Sequence, residues 1–205
     1  HLSIRRQRQM CIRDRSWSSG GPGSGNDTFT GGAVADTADG LAGDDLLNGL
    51  DGNDSLIGSD GADTIDGGNG NDTIFGGNGA DSIHVGIGAD RVSGGEGDDT
   101  LIATGGDTLG DSLAGDAGAD SILAGDGNDT INGGDGADTI EAGNGNDTII
   151  PGAGDDVLRG GNGIDELNMG AATTDLTVNL GAGTVGGQGN DTLLDRFERI
   201  STGSG

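Results

Sequence analysis

An aspartate recurs every nine residues along most of this chain, and that period constrains the fold more than any other feature. The series runs Asp27, Asp36, Asp45, Asp54, Asp63, Asp72, Asp81, Asp90 and Asp99 without a break. Extra residues around Ala103–Gly105 shift the phase once, and the series resumes as Asp111, Asp120, Asp129, Asp138, Asp147, Asp156 and Asp165. Two places after each aspartate stands an apolar residue, from Phe29, Leu47 and Leu56 through Ile131, Ile140 and Ile149 to Leu167, with Ala38 the weakest. The unit is clearest over Gly67–His84, where GGNGNDTIF runs directly into GGNGADSIH. A fixed short period of this kind means a solenoid, because one unit cannot bury its apolar side except against its neighbours.

Numbering the unit so that the aspartate is sixth, its first six residues carry the glycines and read as a tight loop. Its last three, such as Thr73-Ile74-Phe75, alternate polar, aliphatic and variable, which reads as a very short strand with its middle residue inward. Loop, strand, loop and strand then make one turn of 18 residues. The expectation is two parallel sheets facing each other across a thin aliphatic core.

Composition narrows the class further. The chain has 205 residues, 48 glycines, 2% aromatic residues and no tyrosine, so a core of large side chains is excluded. There is no lysine, and five of the nine arginines lie in the first fifteen positions. From Ser16 onward four arginines face 34 acidic residues, a balance of −30. A segment so charged repels nucleic acid and anionic membranes, and its natural partners are cations. Cys11 stands alone, so neither an internal disulfide nor a thiolate cluster can form. No apolar run is long enough to span a membrane, so no membrane insertion by this segment is expected.

Three regions follow. Residues 1–19 form a basic segment outside the repeat, read as disordered or as a spurious translation, without an apolar signal stretch. Residues 20–168 form the repeat region, with its insertion near 103–105. Residues 169–205 change character: Leu176, Val178 and Leu180 alternate with polar neighbours, as in a longer strand. A further unit follows at 186–194, with Asp191 and Leu193 in register by type, and Phe197 and Ile200 offer a small apolar cap. The chain is expected to be truncated, continuing past Gly205 in its parent.

The motif G-G-x-G-x-D-x-U-x, with U aliphatic, is complete at GGNGND before Thr73, GGNGAD before Ser82, GGEGDD before Thr100, GGDGAD before Thr139, GGNGID before Glu166 and GGQGND before Thr192. In this the chain resembles the RTX (repeats-in-toxin, haemolysin-type) calcium-binding family. The resemblance implies an all-β, right-handed parallel β-roll with Ca²⁺ between stacked loops. It implies metal ligation by Asp45, Asp54, Asp63, Asp72, Asp81, Asp90, Asp99, Asp111, Asp120, Asp129, Asp138, Asp147, Asp156 and Asp165, with backbone carbonyls of the glycine-rich loops. The chemistry is consistent, since Ca²⁺ takes carboxylate and carbonyl oxygens, and stacked like charges repel unless a divalent ion lies between them. Partners must lie 18 residues apart, as in Asp54/Asp72 or Asp63/Asp81. The pairs Asp90/Asp111 and Asp99/Asp120 span 21, which puts sites there in doubt, and Asp27 and Asp36 sit in degraded units whose sites are expected to be weak or empty.

Catalysis has no foothold in these residues. His84 takes the outward ninth position as a surface residue, and carboxylates present in every unit are a metal ladder rather than a unique acid and base. The function expected is a calcium-ion-binding structural module of a secreted bacterial toxin, adhesin or exoenzyme, exported by a type I system and folding outside the cell. One alternative is the C-terminal tail of a secreted protease, lipase or epimerase whose catalytic part lies upstream. An ice-binding solenoid is disfavoured, since the third loop positions hold Asn69, Asn78, Glu96 and Asp126 rather than threonine.

Overall fold

The computed structural model of the protein describes residues 16–17, 23–103, 106–170, 177–179, 184–186, 190–193, 197 and 199–201. The described residues are all β, arranged as two sheets that the chain visits alternately. One sheet stacks Thr28–Thr30, Leu46–Asn48, Thr64–Asp66, Ser82–His84, Thr100–Ile102, Ser121–Asp126, Thr139–Asn144 and Val157–Asn162. The other stacks Thr37–Ala42, Ser55–Asp60, Thr73–Asn78, Arg91–Glu96, Ser112–Ala117, Thr130–Asp135, Thr148–Ala153 and Glu166–Asn168. Every neighbour within these two runs is parallel and in register by repeat position, as in Leu56↔Ile74 and Ile74↔Val92. This is the parallel β-roll expected from the period, with about eight turns.

The core is the stack of eighth-position side chains. Phe29, Leu47, Leu56, Ile74, Leu101, Ile131, Ile149, Leu158 and Leu167 have no exposed surface at all. Each sheet offers one such residue per turn, so the core is a double file of aliphatic groups. Its stability is a sum over neighbouring turns rather than the product of one large core.

Ten of the sixteen stacked strands are longer than the three residues that the alternation predicts. In the second sheet all but Glu166–Asn168 run six residues, from the seventh position of one unit to the third of the next, as in Thr73–Asn78. The first sheet does the same from Ser121–Asp126 onward. Glycines are poor strand formers, but here each glycine-bearing segment pairs with its equivalent one turn away, for example Gly77↔Gly95. After a six-residue strand only the fourth to sixth positions remain as loop.

The motif glycines answer different needs. A Cβ on the first, such as Gly49, would overlap the Oδ2 of Asp54 and the carbonyl oxygen of Gly67, so that residue is small for lack of room. The second and fourth have left-handed backbone, as at Gly68 (φ 97°) and Gly70 (φ 130°). Where the second glycine has been replaced, the backbone keeps that conformation: Leu41, Leu50, Ser59 and Asp116 have φ between 72° and 85°.

Both ends carry antiparallel strands. Ser16–Trp17 pairs with Thr28–Thr30, so part of the segment expected to be disordered or spurious forms an edge strand. At the other end the unit at 186–194 joins the first sheet, with Leu158↔Leu193 parallel, and Thr184–Gly186 and Thr177–Asn179 continue it antiparallel. Of the longer strand expected around Val178, the described part is Thr177–Asn179, while Leu176 and Leu180 lie outside the described residues. Leu193 and Phe197 are buried, and Ile200 pairs with Leu167 and packs on the core, as a cap should.

The backbone conformations predict opposite effects for two substitutions. Leu50→Gly relieves a left-handed, 41% exposed leucine and is expected to stabilise the calcium-saturated roll by about 1 kcal/mol. Gly70→Ala drives a Cβ into the Gly52 carbonyl and is expected to cost about 2 kcal/mol or more. Thermal unfolding of the two variants checks both, and a stabilised Gly70→Ala would show that the loop path is wrong.

Candidate metal centre

The sixth residue of each unit closes the loop and turns its side chain under it, towards the interior. All sixteen aspartates of the series are buried, and no other polar or charged side chain among the described residues is. Burying so many carboxylates is costly unless something meets their charge.

Part of their hydrogen-bonding capacity is met by the neighbouring turn. The backbone N–H of Asp54 donates to Oδ1 of Asp72 at 2.7 Å, and that of Asp72 to Oδ1 of Asp90 at 2.7 Å. On the other edge Asp45 N–H donates to Asp63, Asp63 to Asp81 and Asp81 to Asp99 at 2.7–2.8 Å. Beyond the insertion the same bond joins Asp111/Asp129, Asp129/Asp147, Asp147/Asp165, Asp120/Asp138 and Asp138/Asp156 at 2.8–3.1 Å. The ten pairs expected from the 18-residue spacing are therefore all brought together, in two columns along the two edges of the roll.

The second oxygen is different. Oδ2 of Asp45, Asp54, Asp63, Asp72, Asp81, Asp90, Asp99, Asp120, Asp129, Asp138 and Asp147 is buried and accepts no hydrogen bond. Where the first position of the unit is glycine, the hollow over it lies beside this oxygen, bounded on the far side by the carbonyl of the equivalent residue one turn on: Gly67 for Asp54, Gly76 for Asp63, Gly94 for Asp81. Orphaned carboxylate oxygens and inward carbonyls are the donor set of a hard cation such as Ca²⁺. Among the described residues no three His, Cys, Asp or Glu side chains converge, so backbone carbonyls would have to supply most of the ligands. The residues present fit calcium and do not fit a thiolate- or imidazole-seeking metal.

Burial raises the carboxyl pKa of the column members from Asp54 to Asp147. Desolvation is the largest cause, opposed by the backbone hydrogen bond and reinforced by neighbouring aspartates. It brings Asp54, Asp81, Asp90, Asp120, Asp129 and Asp147 to about 6 and Asp99 and Asp111 to about 7, from an ordinary value of 3.8.

Two stretches that the sequence sets apart stay within the columns. The spacing of 21 at Asp90/Asp111 and Asp99/Asp120 does not interrupt either column, since the bonds are 2.9 and 2.8 Å. The additional residues lie in the loop between Ile102 and Asp111, so only that edge is altered. On the other edge the loops ending in Asp99 and Asp120 stack regularly, with Gly97 N–H donating to the Ala117 carbonyl. Asp27 and Asp36, from the degraded units, are buried and join the columns through their N–H groups to Asp45 and Asp54. Oδ2 of Asp36 accepts from Gly32 N–H of its own loop, which sets it apart from the orphaned oxygens. His84 is exposed, as expected.

A second ladder escaped the sequence reasoning. The fifth-position residues Asn53, Asn71, Asn128 and Asn146 accept, through Oδ1, the fifth-position N–H of the following turn, at Asn71, Ala89, Asn146 and Ile164. These bonds run in the direction opposite to the aspartate ladder, so adjacent loops are clasped from both sides. Its signal was available: Asn or Asp recurs at the fifth position in eight units from Asn26 to Asp155.

The RTX calcium-binding nonapeptide repeat (four copies) matches residues 22–56, 48–83, 57–92, 75–110, 105–140 and 132–167. The chain belongs to this family. No curated protein matches it. The matched spans run across both sheets and over the insertion, and the RTX repeats are a calcium-binding module.

The pKa shifts fix a pH dependence for the metal-free RTX roll. A carboxyl whose folded pKa lies above its unfolded value favours folding when protonated. That contribution is fully present below about pH 4 and is lost as pH rises through 6 to 7. In chelator, circular dichroism is expected to show more strand at pH 4 than at pH 7.5, and less strand at the lower pH contradicts the burial of these groups.

Proposed function

We propose that this RTX segment is a calcium-dependent folding module of a secreted bacterial protein, in which metal binding and folding are one equilibrium. The observation that carries it is the pair of columns of buried carboxylates, in which Oδ2 of eleven, from Asp45 to Asp147, accepts no hydrogen bond. The ligands proposed are Asp45, Asp54, Asp63, Asp72, Asp81, Asp90, Asp99, Asp111, Asp120, Asp129, Asp138, Asp147, Asp156 and Asp165, with carbonyls of the glycine-rich loops. Asp90/Asp111 and Asp99/Asp120 are included because both columns continue there.

Bound calcium supplies positive charge between carboxylates that otherwise repel. The protein's own part is to bring the two carboxylates of a step together, which happens only when turns stack. Binding energy is then folding energy. A chain with this charge balance and few large apolar residues has little else to hold it folded where calcium is scarce. The bacterial cytosol is such a place and the exterior is not, which supports passage across the envelope unfolded and folding outside, with calcium as the partner and nucleic acid repelled. Whether the parent is a toxin, an adhesin or an exoenzyme, the role of this segment is structural, since it offers exposed His84 and repeated carboxylates rather than a catalytic constellation.

Circular dichroism and calcium binding followed in one titration test the proposal. Strand signal is expected to rise cooperatively with bound calcium in the millimolar range and to vanish on chelation at pH 7.5. Strand signal unchanged by chelation would overturn it.

A further inference from the structure

Eight residues separate Ile102 from Asp111, where a regular unit such as Asp66 to Asp72 has five. The enlarged loop must still present Asp111 under Asp90 if that column is to continue. In the regular steps of this edge, three kinds of bond besides the aspartate ladder hold one loop on the next. The fourth-position N–H donates to the third-position carbonyl of the following turn: Gly52 to Asn69, Gly70 to Ile87, Gly127 to Asn144 and Gly145 to Asn162, at 2.7–2.8 Å. The third-position N–H donates back to the second-position carbonyl, as Asn69 to Leu50 and Ile87 to Gly68. The fifth-position side chain accepts from the next loop, as Asn53 does from Asn71.

At the enlarged loop these links change. The fifth position before it is Ala89, which has no side-chain acceptor. The fourth-position N–H, Gly88, donates to a side chain, Oδ2 of Asp107, at 2.7 Å. Asp107 Oδ1 accepts Leu109 N–H at 3.0 Å, which folds the loop onto its own carboxylate. The carboxylate thus stands where a backbone carbonyl stands in every regular step of this edge. Its charge also acts on Asp90, Asp111 and Asp129, raising the pKa of each. Beyond it the regular pattern returns, with Asp111 N–H on Asp129 Oδ1 at 2.8 Å.

We propose that Asp107 is the positioning residue of the calcium step across the insertion: by accepting Gly88 N–H in place of the missing carbonyl, it registers Asp111 beneath Asp90 so that both carboxylates can serve one ion. The role is to hold the acceptor, not to ligate. It rests on reading the columns as calcium ladders, and it makes the insertion a joint between two runs of regular turns that Asp107 keeps coupled.

Two substitutions in the full chain separate acceptor from charge. Asp107→Asn keeps one oxygen, enough for Gly88 N–H, and removes the charge and the second acceptor that serves Leu109 N–H, whereas Asp107→Ala removes all three. Bound calcium is counted by equilibrium dialysis, and strand signal is followed as calcium is raised. Asp107→Ala is expected to lose about one bound ion and to fold in two calcium-dependent phases, with the second midpoint raised several-fold. Asp107→Asn is expected to retain the wild-type number of ions and a single phase. Asp107→Ala with unchanged ion count and a single phase overturns the proposal, and so does Asp107→Asn behaving like Asp107→Ala, because the charge or the Leu109 bond would then matter rather than the acceptor for Gly88 N–H. A wild-type chain that binds no calcium defeats the ladders themselves, which is a separate and recognisable result.

Discussion

Like charges buried in a row are the constraint on which the rest of this structure depends. Sixteen aspartates point into a roll whose apolar interior, among the described residues, is mainly a thin double file of aliphatic side chains. A single buried carboxylate without a counter-charge costs several kcal/mol, and raised pKa values along both columns express that cost. The aliphatic file cannot offset it alone, because each turn adds only two such residues. Folding must therefore bring in positive charge from solution, and the donors left open are oxygens. That is why a structural repeat and a calcium site are the same object here.

The loops are built to make this possible. The first-position glycine leaves the hollow beside Oδ2, and the second and fourth supply left-handed turns that fit a loop into three residues. Two side-chain ladders of opposite direction then fix one loop on the next, the sixth-position aspartates reaching one way and the fifth-position asparagines the other. A turn is thus positioned by its neighbours at both corners as well as along both sheets.

Much of this was legible from the period. The 18-residue turn, the two facing sheets, the inward eighth position and the pairing of Asp54 with Asp72 or Asp63 with Asp81 all follow from spacing, because stacking repeats identical contacts. Strand length did not follow, since Gly76-Gly77-Asn78 is a poor strand by propensity and is held extended by its copies on either side, Gly58-Ser59-Asp60 and Gly94-Gly95-Glu96. The path of the insertion was not legible, because a count of 21 residues does not say which edge absorbs the excess. The loop before Asp111 takes all of it, and Asp99/Asp120 is left regular. The role of Asn71 at the fifth position was hidden because asparagine in a glycine-rich stretch reads equally well as a turn residue.

The central claim is that these carboxylates oppose folding without calcium and drive it with calcium, and one substitution tests both halves. Asn in place of Asp129 keeps an acceptor for Asp111 N–H and removes one buried charge. Thermal unfolding of Asp129→Asn at pH 7.5 should show a metal-free chain more structured than the wild type and a calcium-saturated chain less stable, a reversal of sign between the two conditions. A variant shifted in the same direction in both, or in neither, would contradict the account.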